Sequence, residues 1–434
     1  MVDLSESLST LYSPAIEAKV WSSDPPVLFP EYTRANGKEY VYRDAEFWTS
    51  GFFPGILYQL LYRSRVFPSK PQQESTKTPH PLKLNFACKW WTESLHSNAA
   101  MTTTHDLGFM ITPWARPAWE LNHDHRAFET LRLAAKSLFS RFSPTVGLVR
   151  SWDVCITKRY HFQDPTTEFM VVIDNMMNLD LLFYVASHTK DLAMWDAAVQ
   201  HARTTQTAHI RPDGSSTHLV VFDPNTGAVQ QRLTNQGYDD DSCWARGQGW
   251  AIAGFAETYG WTRDISFLET AQKCADLFLS RLPESHIPPW DFDAELHAAA
   301  DEAQPPDTSA AMIAAYGLLL IYKACLGLAD ISRGRKYLSA ALRITAAVCE
   351  HHTDASAHMS QTTSAVETVE EGISQMRFEG VCNSGGDTIL TGATINNYEH
   401  APRRWADHGL VYADYYFVLV GNLLLDLGIG ANFR

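Results

Sequence analysis

Two aspartates stand where a carboxyl can trade protons. Asp106 follows His105 and precedes Leu107-Gly108-Phe109, so its charge falls in an apolar, tightly packed turn. Asp174 follows Met170-Val171-Val172-Ile173 and precedes Met176-Met177, and it too is expected to lose its water. A carboxyl in apolar surroundings has a raised pKa and can hold a proton near neutrality, as a general acid must. Two such groups facing one pocket would also raise each other. Trp48, Trp152, Trp244 and Trp250 could stack on the apolar faces of sugar rings. Arg246 is the best placed guanidinium to meet a carboxylate ligand. Each choice has a plainer reading. Asp at a helix start is most often an N-cap, and Trp is mostly core. Arg246 could pair at the surface with the run Asp239-Asp240-Asp241, itself read as a solvated loop. Asp307, ahead of Thr308-Ser309, is read as an N-cap and nothing more.

These residues fall where long connections meet helices. Apolar positions recur at helical spacing over 3–21, 54–64, 82–97, 107–121, 126–141, 174–188, 191–206, 244–260, 265–281, 308–327, 335–351 and 408–427. Pro113 and Pro117 argue against a regular helix in the fourth. From the fifth onward, short gaps (189–190, 261–264, 328–334) alternate with long ones (142–173, 207–243, 282–307, 352–407). Short gaps make antiparallel hairpins, and the long loops then share one rim. Twelve helices in that rhythm predict an all-α fold, an (α/α)6 barrel spanning 1–434 as one domain. An open α-solenoid would need polar end caps, unlike a last helix carrying Tyr412, Tyr415, Tyr416 and Phe417. Strand-like alternation is confined to short pieces such as 218–222. Helix N-termini gathered on one rim would suit a bound carboxylate.

Composition narrows the chemistry. The 434 residues carry 35 Lys+Arg against 49 Asp+Glu, a net charge of −14, with no basic stripe for nucleic acid. The N-terminal residues lack a basic and an apolar signal region, and no spanning helix is expected. Seven scattered cysteines without a CxxC read as core thiols in a reducing, cytoplasmic setting. Neither HExxH, a P-loop, a dinucleotide fingerprint nor GxSxG occurs, so no metal or organic cofactor is expected. A monomer or weak dimer is expected, away from membranes.

Three stretches together resemble a family. His105-Asp106-Leu107-Gly108-Phe109, Asp174-Asn175-Met176-Met177-Asn178, and Asn235-Gln236-Gly237-Tyr238 through Trp244-Ala245-Arg246-Gly247-Gln248-Gly249-Trp250 look like the signatures of the unsaturated glucuronyl hydrolases, glycoside hydrolase family 88. The resemblance runs from about Phe47 to Asp414. It implies an (α/α)6 barrel that removes a 4,5-unsaturated glucuronic acid from the non-reducing end of lyase-made oligosaccharides, without a cofactor. Asp174 matches the general acid/base and Asp106 the second essential aspartate. Trp48, His105, Trp152, His218, Thr234, Gln236, Arg246 and Trp250 match pocket positions, with Trp244 beside them. Asn235 stands where the pattern has His, and the segment 380–405, with Arg403-Arg404, does not match. The acidic balance favours short substrates with neutral leaving sugars over heavily sulfated ones. Alternatives are an unsaturated rhamnogalacturonyl hydrolase and an ordinary inverting glycosidase. A sugar isomerase using His105, His218 or His408, or a glycan-binding protein, is the non-hydrolase reading.

Overall fold

Short turns of one design join the helices. The computed structural model describes residues 24–34, 38–68, 81–294, 304–355, 358–365, 374–382, 386–401 and 403–429. Among them are α1 (Phe52–Val66), α2 (Pro81–Thr92), α3 (Leu107–Asn122), α4 (His125–Phe139), α5 (Leu179–Thr189) and α6 (Leu192–Ala208). The series continues with α7 (Ala245–Thr262), α8 (Ile265–Arg281), α9 (Thr308–Gly327), α10 (Ile331–His351) and α11 (Val411–Asp426). The candidate over 3–21 lies outside the described residues. Four turns run α3 to α4, α5 to α6, α7 to α8 and α9 to α10. Each places a non-glycine residue at positive φ, namely His123, Lys190, Arg263 and Ala329. An aspartate follows each time, and Asp124, Asp191, Asp264 and Asp330 accept backbone N–H bonds as N-caps.

The odd-numbered helices form an inner ring. α1 packs on α3, α3 on α5 and its 3-10 lead-in Ile173–Asn178, α5 on α7, α7 on α9, α9 on α11, and α11 returns to α1. The even-numbered helices lie outside, each against the inner helix that precedes it. Inner helices are buried on nearly every side, as α7, α9 and α11 show. Outer ones such as α4 and α8 bury one stripe. α9 is long and apolar enough to cross a membrane by length and composition, against the sequence expectation, and it is a buried ring helix here.

Two expectations are corrected. Pro113 and Pro117 sit inside α3 without ending it. Proline removes one bond to the carbonyl four residues earlier. Here α1 comes close, because side chains at Gly51 and Gly55 would strike the Phe109 carbonyl and the Pro113 ring. The all-α expectation fails in the long connections. They hold an antiparallel sheet of Phe169–Val172, Leu219–Phe222 and Val229–Leu233, and hairpins that include Cys155–Ile156 with His161–Phe162. Their β-branched and aromatic residues suit pleated pairing. The sheet matters to the site, since Asp174 follows one strand, His218 precedes its neighbour, and Ile173 N donates to His218 O at 2.9 Å.

Candidate active site

The two chosen aspartates sit at helix starts and cap nothing. Asp106 occupies the position before α3, and its side chain makes no capping bond. Asp174 lies in the first turn of the 3-10 helix Ile173–Asn178, whose cap position is Val172. Both turn toward His105. Its Nε2 is 3.4 Å from Asp106 Oδ1 and 3.9 Å from Asp174 Oδ1. Thr104 fixes Asp106 from the other side, its hydroxyl donating to Oδ2 at 2.8 Å. One donor atom from each of His105, Asp106 and Asp174 lies within 4.8 Å of the others, a spacing that could share a proton or hold a cation.

Electrostatics separates the two carboxyls. Burial raises Asp106, the nearby Asp174 adds to this, and His105 and Thr104 only partly offset it. Burial would raise Asp174 as well, but His105 outweighs it and holds this carboxyl below its usual range. His105 itself loses basicity to burial, and its two acidic neighbours more than restore it. The expectation of two raised carboxyls is therefore met by Asp106 and fails at Asp174. The physical cause is the imidazole between them, which the sequence argument left out.

Trp152 stands between two histidines, its ring 6.4 Å from His105 and 6.3 Å from His218. Backbone bridges to Thr104 and Met170 fix it there. His218 packs on Trp244 at 4.6 Å. Its Nδ1 accepts the Asn235 N–H at 3.0 Å, so in the neutral ring the proton is on Nε2. Burial lowers this histidine to about 4, so the ring is neutral at pH 7. The Asn235 departure leaves that bond intact, because only the backbone takes part. Trp48 is half-buried against Tyr412, 5.1 Å away.

Arg246 is placed differently from either expectation. It is 2% exposed and pairs with buried Asp307 at 2.9 Å. Its Nη1 also donates to Thr394 O, and Nη2 to Ile395 O and, at 2.7 Å, to Gln236 Oε1. Trp244 lies under the guanidinium at 4.6 Å and Tyr412 at 5.5 Å. The acidic run does not reach it, since Asp240 pairs with Arg159. Asp307 does cap α9, accepting from Ser309 N and Ala310 N, and it holds Arg246 as well. Thr234 is buried and accepts the Gly237 N–H at 2.8 Å, shaping the turn that delivers Gln236. Trp250 belongs to the core, packed on Phe109 at 5.1 Å and Tyr416 at 5.5 Å. Helix α7 carries it one turn beyond Arg246, where the inner helices meet.

Sequence reasoning missed Thr104, Tyr412 and the second role of Asp307. A Thr two residues before an Asp is a local turn signal that could have found the first. Several buried polar atoms here lack a hydrogen-bond partner among the described residues. They include both His105 ring nitrogens, Asp174 Oδ1, His218 Nε2, Trp244 Nε1 and the Tyr412 hydroxyl. Orphaned groups are rare in native proteins. Gathered beside aromatic rings, they suit a ligand that is apolar on its faces and rich in hydroxyls at its edge.

Known proteins resemble this chain. The family model of Glycosyl Hydrolase Family 88 matches residues 108–375. The chain is 34% identical over 281 residues to an unsaturated glucuronyl hydrolase of Formosa agariphila, covering 63% of each. It is 32% identical over 280 residues to an unsaturated chondroitin disaccharide hydrolase of Streptococcus pneumoniae, covering 64% of each. The chain thus spans less than two thirds of these curated relatives. The crystal structure of an unsaturated glucuronyl hydrolase specific for heparin superposes with a TM-score of 0.74 at 26% identity, over 98% of this chain and 96% of that one.

Proposed function

This chain belongs to glycosyl hydrolase family 88, and on that premise we propose that it is a glycoside hydrolase acting on oligosaccharides that end in a 4,5-unsaturated uronic acid. The observation that carries this reading is the trio His105, Asp106 and Asp174, with two carboxyls that cap no helix and share one imidazole. The sugar's C4=C5 double bond is conjugated to its carboxylate and makes an enol ether. A proton delivered to C4 leaves positive charge at C5, which water attacks. The hemiketal then opens, and the leaving sugar departs without attack at the anomeric carbon.

Asp174 gives the proton to C4 and then takes one from the attacking water. In the free site it is an anion beside His105, while Asp106 is the carboxyl that burial disposes to hold a proton. Entry of the substrate's carboxylate brings a like charge and expels water, both of which favour the protonated form of Asp174. The proton passes within the trio, and Asp106 then stabilises the charge at C5. Trp48, Trp152 and Trp244 support the sugar faces. His218 Nε2 and Gln236 meet its hydroxyls, and Arg246 contributes its field beneath Trp244. The ring of inner helices, with α11 returning to α1, supports a single-domain (α/α)6 barrel. The free, buried cysteines among the described residues support a reducing, cytoplasmic setting.

An ordinary inverting glycosidase fits the geometry less well. Inverting carboxyls stand roughly 6.5–9.5 Å apart to admit a water, and here the nearest donor atoms lie within 4.8 Å. The deciding experiment adds lyase-made unsaturated disaccharides, unsulfated and sulfated in parallel, and follows the conjugated-alkene absorbance. It should fall, faster for the unsulfated sugar, and a chelator should not slow it. Activity on saturated uronides with a stable alkene signal would overturn the reading.

A further inference from the structure

Three stretches of chain leave the pocket wall separately and are tied together again beyond it. The first leaves at Trp152 and forms the hairpin of Cys155–Ile156 and His161–Phe162. The second leaves at Gln236 and runs into Asp239-Asp240-Asp241. The third leaves at Thr394 and Ile395, whose carbonyls hold Arg246, and continues to Tyr398 and Ala401. Asp240 is where they meet. Its Oδ1 accepts from Arg159 Nη1 at 3.0 Å, from the Tyr160 hydroxyl at 2.9 Å and from Thr234 N at 2.9 Å. Its Oδ2 accepts from Arg159 Nη2 at 2.5 Å. Arg159 Nη1 reaches on to the Tyr398 hydroxyl at 3.2 Å, and Lys158 Nζ donates to Ala401 O at 2.7 Å.

We propose that Asp240 is a positioning residue for the sugar pocket, the knot that keeps Trp152, Gln236 and the carbonyl grip on Arg246 in mutual register. The proposal rests on the hydrolase reading for its kinetic consequence. The inner face of the hairpin packs through Cys155, Tyr160 and Phe162 on the sheet, so the hairpin itself has an anchor. Among the described residues, the bonds of Arg159 and Lys158 and the contact of Tyr160 with Tyr398 join it to the third stretch. The Arg159–Asp240 pair is partly exposed, at 33% and 22%, and such pairs add little to overall stability. Its effect is therefore on placement. A displaced wall weakens binding of a sugar whose ring must meet all three segments, while the trio at Asp174 keeps its own geometry.

The test uses Arg159→Met, Asp240→Asn and the double variant in the full chain. KM on the unsaturated disaccharide should rise on the order of 10-fold, as small misplacements do, with kcat within about 2-fold and little change in Tm. The double variant should be no worse than the worse single one, because both cut one knot. Hydrogen exchange gives a readout independent of activity. In Arg159→Met, both 234–241 and 396–401 should exchange faster although neither is mutated. If Asp240→Asn fails to fold, Arg159→Met alone decides. Coupled exchange in a wild type without activity on the disaccharide would overturn the hydrolase reading and leave the knot. Unchanged exchange in those two segments, or an unchanged KM in an active enzyme, would overturn the knot.

Discussion

Asp307 divides its carboxylate between two helices. One oxygen caps α9, and the other pairs with Arg246 in the first turn of α7 at 2.9 Å, with the two side chains 0% and 2% exposed. Removing one partner of a buried pair strands the other charge, at a cost of about 3–5 kcal/mol. Arg246→Ala should therefore lose about that much stability in urea denaturation, besides raising KM. A loss below about 1 kcal/mol would mean that the pair is dispensable to the ring.

Asp174→Asn should cut turnover by about 10²–10⁴-fold, since it removes the proposed proton carrier. No capping loss should accompany it, because this side chain caps no helix. The opposite pattern, an active enzyme destabilised by ~0.5–2 kcal/mol, is what an N-cap would give.

His105→Gln tests the electrostatic division of labour. The imidazole holds Asp174 below its usual range against the effect of burial. Without it burial prevails and the Asp174 pKa rises. The acid-side inflection of kcat/KM should move to higher pH in this variant. An inflection that stays in place would assign that limb to another group.

Another carboxyl lies within the ring. Glu257 accepts from the Tyr316 hydroxyl at 2.8 Å, and its other oxygen is buried without a partner among the described residues. Burial pushes its pKa well above the ordinary value. The folded state then keeps a proton that the unfolded chain gives up above its own pKa. Stability from this group is complete below the unfolded pKa and is lost as pH rises toward the folded one. Glu257→Gln keeps the bond from Tyr316 and removes the charge. It should match the wild type in Tm near pH 4 and exceed it at pH 8. Equal Tm values at both pH values would refute the buried charge.

Lys190 is at φ 62° in the turn between α5 and α6. A non-glycine residue there costs about 1–2 kcal/mol, and glycine returns part of that as chain entropy. Lys190→Gly should gain roughly 0.5–1 kcal/mol in chemical denaturation with activity unchanged. A net loss would show that the Lys190 side chain carries more than its backbone strain.

The outer helix spans were legible because their burial follows the 3.6-residue period, and the apolar flanks of Asp106 and Asp174 marked them out from ordinary caps. Pro113 misled, since its tolerance depends on Gly55 of a neighbouring helix. Of the strands in the long connections, the alternation over 218–222 revealed Leu219–Phe222, while two-residue strands such as Cys155–Ile156 were short enough to hide. The environment of Arg246 was beyond reach, because its partners lie 61 residues away at Asp307 and 148 and 149 away at Thr394 and Ile395. Trp250 looked like a pocket residue because it lies near the long-loop rim and matches a family pocket position, yet its place along an inner helix puts it in the core. The lowered Asp174 required knowing that His105 faces both carboxyls.

The four turns at His123, Lys190, Arg263 and Ala329 all join the C-terminal ends of inner helices to outer ones, whereas His105, Asp106 and Asp174 precede the N-terminal ends. The molecule therefore has a handle on one side and the proposed site, its mouth, on the other. A resin, a gold electrode or a fused lyase domain attached through a cysteine or linker placed in one of those turns would hold the protein with the proposed site toward the medium. Attachment through the hairpin that carries Lys158 and Arg159 would press the opening against the support. A tethered lyase at the handle would release its products at a distance from the mouth, so a fusion intended to pass sugars directly from one enzyme to the other needs a linker long enough to reach around the ring.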